Sequence, residues 1–243
     1  MIDHTLELND LPLIDQHVHI FKGESNQPTF DPLATFSLGG DWVEFLESGG
    51  HTPTDEEKRQ LVINQRETMI YHEAMHAVAH YLGCEPNREA IVAARRVKVA
   101  DYPAYVRGLY RDINLESNIV DLGYPKNANF EAYEALTGVP AFKLFRIEPL
   151  IGELWDRHDS LADLQTDFDE RIRVLASDPK TIGLKSVIAY RTGLELHPLS
   201  TKEVSASADR LKRSPDSAGL FARIHVSRSN REDVKRVRDY ILW

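Results

Sequence analysis

Apolar residues in this chain form short runs that alternate with segments of helical periodicity. Four runs have the length and composition of β-strands and span residues 11–21, 117–123, 141–148 and 182–190. The helices predicted after the last three strands span residues 129–137, 161–176 and 201–211. Strands that alternate with helices indicate an α/β fold with a parallel sheet and right-handed crossovers.

A segment with few strand-forming residues interrupts this alternation at residues 54–100. A capping box at Thr54-Asp55-Glu56-Glu57 begins a helical stretch that runs to Leu82, and Pro86-Asn87 opens a second helix. We interpret residues 1–243 as one α/β domain that carries this segment as a helical insertion.

Composition excludes several classes of function. The 243 residues have a formal net charge of −9, with 29 Lys+Arg against 38 Asp+Glu, so a nucleic-acid or anionic-membrane partner is not expected. The single cysteine, Cys84, allows neither an intramolecular disulfide nor a cysteine-based zinc site. With no signal-peptide pattern and no apolar run long enough to span a bilayer, we expect a soluble, cytoplasmic protein.

Two histidines at the end of the first predicted strand carry the clearest chemistry. His17 and His19 are two residues apart, so their side chains point to the same side of the strand. Imidazole nitrogens bind zinc and similar divalent ions. Such an ion lowers the pKa of a bound water molecule and so makes hydroxide available near neutral pH. Asp15 lies on the same face and is predicted to orient or support the site. A chance His-x-His pair on a loop is the alternative, which the strand before it disfavours.

Leu13-Ile14-Asp15-Gln16-His17-Val18-His19 resembles the strand-one signature of the amidohydrolase superfamily. The similarity is closest to the amidohydrolase-2-type, TIM-barrel metal-dependent hydrolases, which include the amidohydrolase-like domain fused to glutamine-synthetase-like proteins. Three later segments agree with it: residues 143–148, 183–194 and 237–242. The resemblance implies that the chain is the N-terminal half, about four β/α units, of a (β/α)8 barrel. A doubly wound fold is the structural alternative, but no glycine-rich phosphate turn follows the first strand.

The function that this resemblance implies is metal-dependent hydrolysis of a small-molecule amide, ester or related carbon centre, with zinc as the expected ion. Members of the family complete the site with histidines of strands five and six and an aspartate of strand eight. We therefore expect this chain to hold only part of the site and no catalytic residue. Both an active and an inactive chain are compatible with that expectation. His225 is expected to be a surface residue and not a replacement ligand. A second copy or a complementary C-terminal half is the expected partner.

Four further side chains are candidates on the later strands. For Lys185, in the fourth strand, the resemblance leaves two roles open: a carboxylated ligand that bridges two metals, as in some amidohydrolases, or a positioned cation in the barrel. Arg146 and Glu148 are predicted to share a face at the end of the third strand. There Arg146 would bind a substrate carboxylate or phosphate, or pair with Glu148. Arg191 is predicted to contact substrate or to support the ligands.

Two other functions compete with this interpretation. His72-Glu73-Ala74-Met75-His76 matches the HExxH signature of zinc peptidases, in which both histidines bind the ion and the glutamate is the general base. The extended form of that motif is absent, and the reach of Glu85 or Glu89 as a third ligand is uncertain. The remaining alternative is a non-catalytic fragment or half-barrel subunit.

Overall fold

A computed structural model describes residues 11–21, 31, 32, 35, 46, 47, 50–123, 125, 128–215, 217–222 and 230–243. His225 lies outside these residues. Four strands form one sheet in the order β1-β2-β3-β4, with β2 and β4 each parallel to β3. The strands are β1 Leu13–Val18, β2 Leu115–Asp121, β3 Ala141–Arg146 and β4 Thr181–Lys185.

The described α-helices fall between and after these strands, which confirms the predicted α/β class. Four lie between β1 and β2: α1 Asp55–Arg66, α2 Met69–Leu82, α3 Arg88–Lys98 and α4 Tyr102–Asp112. Five follow β2: α5 Phe130–Thr137, α6 Ile147–Arg157, α7 Leu161–Ser177, α8 Thr201–Arg213 and α9 Arg231–Leu242. Short 3-10 turns occupy Val99–Asp101, Ile188–Tyr190 and Leu220–Ala222. Among the described helices, none is long and apolar enough to cross a membrane.

The chain divides into two compact units. One contains the described residues within 1–13, 22–116 and 131–139, and the other contains those within 14–21, 117–130 and 140–243. The core of the first unit is a cluster from α2, α3 and the segment that follows. Its buried members are Tyr71, Met75, Ala79, Leu82, Ile91, Val99 and Tyr105.

Capping side chains set the helix boundaries in the first unit. The hydroxyl of Thr54 accepts from the amide of Glu57, whose carboxylate accepts from the amide of Thr54 at 2.7 Å, so the predicted capping box is confirmed. The predicted helical stretch to Leu82 is present, but it consists of two helices. Helix α1 ends at Arg66, and the hydroxyl of Thr68 accepts from the amide of Tyr71 at the start of α2. Helical structure also extends to Asp112, beyond the predicted limit at residue 100.

The second unit has its core between the helices after β3. Fourteen buried residues form this cluster, with the rings of Trp155 and Phe221 5.0 Å apart at its centre. Two predicted strand ends are wrong here. Residues Ile147 and Glu148 belong to α6, and β4 ends at Lys185, with a 3-10 turn in place of its predicted continuation. Both strands end at residues that belong to the site described next.

Candidate metal centre

The two histidines of the first strand lie together at its carboxyl end. His17 is in β1 and His19 follows Val18, the last strand residue, and the two imidazole rings are 5.1 Å apart. Asp15 contacts the site through the backbone, because its carboxylate accepts from the amide of His17 at 3.1 Å. The side chain of His17 is half exposed. The sequence prediction that His17 and His19 share one side therefore agrees with the structure.

The structure adds Asp121, which the sequence prediction did not include. Asp121 is the last residue of β2, and its side chain is fully buried. Since β1 and β2 are neighbours in the sheet, the Asp121 carboxylate lies 3.8 Å from Nε2 of His17. An aspartate at the end of a predicted parallel strand was the available signal, because the carboxyl ends of parallel strands form one edge.

His17, His19 and Asp121 each offer one ligand atom, and these atoms lie within 4.8 Å of one another. Within the described part of the chain, no other three side chains of His, Cys, Asp or Glu meet this criterion. Tetrahedral zinc with bonds of about 2.0–2.2 Å separates its ligand atoms by about 3.3–3.6 Å. The donor set of two imidazoles and a carboxylate therefore suits a divalent ion, with ligand atoms up to 4.8 Å apart in this structure.

Two cations meet the carboxylate of Asp121. Its Oδ2 atom accepts from Nη2 of Arg146 at 2.5 Å and from Nζ of Lys185 at 2.7 Å, while Oδ1 accepts from the amide of Gly123 at 2.8 Å. A Cβ at Gly123 would overlap the Arg146 side chain, so this close approach requires glycine. Burial raises the pKa of Asp121, but the hydrogen bonds from Arg146 and Lys185 outweigh it and lower the pKa to about 2.

The pKa of His17 is lowered in this structure. Burial and then the positive charge of Lys185 lower the pKa of His17 from its ordinary value, although Asp121 acts in the opposite direction. Nε2 of His17 lies 2.5 Å from Nζ of Lys185. Neutral imidazole is the form that binds metal ions, and burial, the larger of the two causes, favours that form.

Arg146 pairs with Asp121, so the alternative in which it pairs with Glu148 is wrong. Glu148 lies in the first turn of α6 and is only 1% exposed. One of its oxygens accepts from the hydroxyl of Ser186 and from the amide of Val187, both at 2.7 Å. Arg191 is also buried and donates to the carbonyl of Phe221 at 2.7 Å. Glu148 and Arg191 therefore hold the chain that follows β4.

The HExxH segment lies in helix α2 of the first unit. Its residues His72, Glu73 and His76 are exposed, whereas Tyr71 and Met75 face the core. No third candidate ligand joins the two histidines among the residues that the structure describes. The segment therefore has the geometry of an amphipathic helix with a solvated polar face.

Comparison with known proteins shows the fold. Neither protein-family models nor curated proteins match this sequence. A solved structure of a protein from Lactobacillus casei ATCC 334, described as a candidate metal-dependent hydrolase, is similar over 97% of this chain with a TM-score of 0.66 and 21% sequence identity. The chain spans 54% of the length of that protein. At this identity, the similarity shows a shared α/β architecture.

Proposed function

We propose that this chain is part of a metal-dependent hydrolase of the amidohydrolase type, and that His17, His19 and Asp121 bind its divalent ion. The observation that carries the proposal is the convergence of these three side chains within 4.8 Å at the carboxyl ends of β1 and β2. Two imidazoles with one carboxylate form a donor set that suits zinc, which is the ion we expect. The similar solved structure, described as a candidate metal-dependent hydrolase, supports the same class.

The fold that we propose for the whole enzyme is a (β/α)8 barrel, of which this chain supplies four units. Two features support this. The strand order follows the chain order, whereas a doubly wound sheet reverses its order at a switch point. In addition, Ile14 of β1 and Ile182 and Leu184 of β4 are about half exposed, which is expected of outer strands that further strands would cover.

The proposed reaction is hydrolysis of a small-molecule amide, ester or related carbon centre. A zinc ion held by these residues would act as a Lewis acid and would supply hydroxide near neutral pH. Asp121 stays ionised at neutral pH because its pKa is lowered to about 2, and Arg146 fixes the orientation of its carboxylate. His17 stays neutral because its pKa is lowered as well, so both groups are in the form that holds a cation. The exposed side of His17 leaves room for a substrate.

Metal binding by matched histidine variants tests the proposal. We expect the wild-type chain to bind zinc in isothermal titration calorimetry, and a His17→Ala/His19→Ala variant to lose this binding. A His72→Ala/His76→Ala variant removes two histidines from exposed positions of α2 and should bind as the wild type does. The opposite pattern would reject the proposed centre in favour of the HExxH segment. Circular dichroism of each variant controls for loss of the fold.

A complementary C-terminal half or a second copy of the chain is the partner that we propose for the outer strands. Sedimentation of the purified chain at increasing concentration tests self-association. If the chain is a monomer at all concentrations, a second copy is excluded as the partner, and the complementary C-terminal half is the remaining candidate.

A further inference from the structure

We propose that Lys185 is a resident cation whose ammonium group and a divalent ion exclude each other at His17 and Asp121. This inference rests on the metal centre proposed above. It assigns Lys185 a role opposite to that of a ligand: Lys185 limits metal affinity and does not add to it.

The ammonium group of Lys185 lies between His17 and Asp121. Lys185 is the last residue of β4, on the far side of β3 from β2, and its long side chain reaches back along the sheet edge. Its Nζ atom lies 2.7 Å from Oδ2 of Asp121 and 2.5 Å from Nε2 of His17. Those two ligand atoms are 3.8 Å from each other. The ammonium group therefore bridges one imidazole nitrogen of His17 and one carboxylate oxygen of Asp121, which are the kinds of atom that would hold a metal ion.

A zinc ion bound to these two atoms and the ammonium group of Lys185 cannot occupy the site together. A zinc ion lies about 2.0–2.2 Å from each ligand atom. Given the three distances among Lys185, His17 and Asp121, any point that satisfies both bonds lies within about 3 Å of Nζ. An ammonium group has three donors and no lone pair, so it cannot coordinate a metal at this distance, and two positive charges this close repel. Lys185 must leave for the ion to bind.

The surroundings of Lys185 and Asp121 allow the Lys185 side chain to move away. The side chain of Lys185 is 20% exposed and so is in partial contact with solvent. Asp121 retains Arg146, whose Nη2 atom donates to Oδ2, and the amide of Gly123, which donates to Oδ1. The buried carboxylate is therefore never left without donors when Lys185 moves. When Lys185 moves, its interactions with Asp121 and His17 are lost. This loss makes the free energy of metal binding less favourable.

Zinc affinity of the Lys185→Met variant tests the proposal. Methionine keeps an unbranched side chain without the charge, so we expect zinc to bind on the order of ten-fold more tightly than to the wild type, as loss of a charge-assisted hydrogen bond predicts. Affinity is measured by competition with a chromogenic chelator. Lys143→Met is the matched control, because Lys143 also ends in a lysine–aspartate pair, with Asp178 at 2.9 Å, but lies on β3 away from the centre. Its affinity should equal that of the wild type.

The outcomes separate the possible roles. Weaker binding by Lys185→Met would overturn the proposal and show that Lys185 is a ligand. Unchanged binding would overturn it as well, since the ammonium group would then not compete. Absence of binding by the wild type and both variants would instead reject the metal centre itself. If methionine impairs folding by circular dichroism, Lys185→Gln replaces it, with the same expected direction.

Discussion

Glu148→Ala is expected to destabilise the second unit strongly, although Glu148 contacts none of the candidate ligands. The Glu148 carboxylate is buried and accepts two hydrogen bonds of 2.7 Å, from the hydroxyl of Ser186 and the amide of Val187. It also faces two buried arginines. Burial lowers the pKa of Arg191 and lowers that of Arg238 to about 10, and the charge of Glu148 acts in the opposite direction in both cases.

The magnitude follows from these contacts. A hydrogen bond to a charged acceptor contributes about 1.5–3 kcal/mol, and removal of the partner of a buried charge costs about 3–5 kcal/mol. Because both effects act on the same group they do not add, and we expect a loss of about 3–5 kcal/mol in the free energy of unfolding. Glu148→Gln keeps one carbonyl acceptor, so its loss should be smaller.

Urea denaturation followed by tryptophan fluorescence measures this loss, since Trp155 lies in the core of the same unit. Glu153→Ala is the matched control in the same helix. Glu153 is half exposed and its ion pairs with Arg157 and Arg171 lie at the surface, so its removal should cost less than about 1 kcal/mol. Equal stability of the Glu148→Ala and Glu153→Ala variants would refute the reasoning, because it would show that the buried carboxylate stabilises nothing.

Three further predictions concern the core, the pH dependence and the metal. Leu154→Ala should lower the free energy of unfolding by about 3 kcal/mol in the same assay, because Leu154 is fully buried in the second core and alanine leaves a cavity. The hydrogen bond from Arg210 lowers the pKa of Asp233, so this pair stabilises the fold above the ordinary aspartate pKa. That stabilisation is lost as the pH falls through the lowered pKa. Urea titrations at pH 6 and pH 3 should therefore show a smaller change in the free energy of unfolding for Arg210→Met than for the wild type. Zinc at about 100 times its dissociation constant should raise the free energy of unfolding by about 2.7 kcal/mol, an effect that a chelator reverses and that His19→Ala lacks.

Much of the architecture was predictable because strand and helix periodicities differ. The alternation of apolar runs and helical segments gave all four strands, and capping residues gave the starts of α1 and α3. Helix α6 was missed. The alternating sequence Phe145-Arg146-Ile147-Glu148 has the pattern of a strand, and the signal for the helix was Pro149, which is tolerated in a first helical turn.

The candidate site was predictable only in part, since it combines residues whose proximity depends on strand order. His17 lies in β1 and His19 directly follows it, so their spacing in the sequence was enough to place them together. Asp121 comes from the next strand, and Lys185 and Arg146 reach it from β4 and β3. No local pattern states which strands are neighbours, and none states whether a buried cation pairs with an aspartate or with a nearby glutamate.

The helices that the structure describes between β1 and β2 affect how the site can form during folding. Residues 19–114 separate these neighbouring strands, whereas residues 122–140 separate β2 from β3. For an unstructured chain, a loop roughly five times longer would raise the entropic cost of closure by about 1.4 kcal/mol. The helices have their own core, which shortens the span that must be closed once they have formed. We therefore expect β2, β3 and β4 to associate first, and the strand that carries both histidines to join the sheet last, although it is synthesised first.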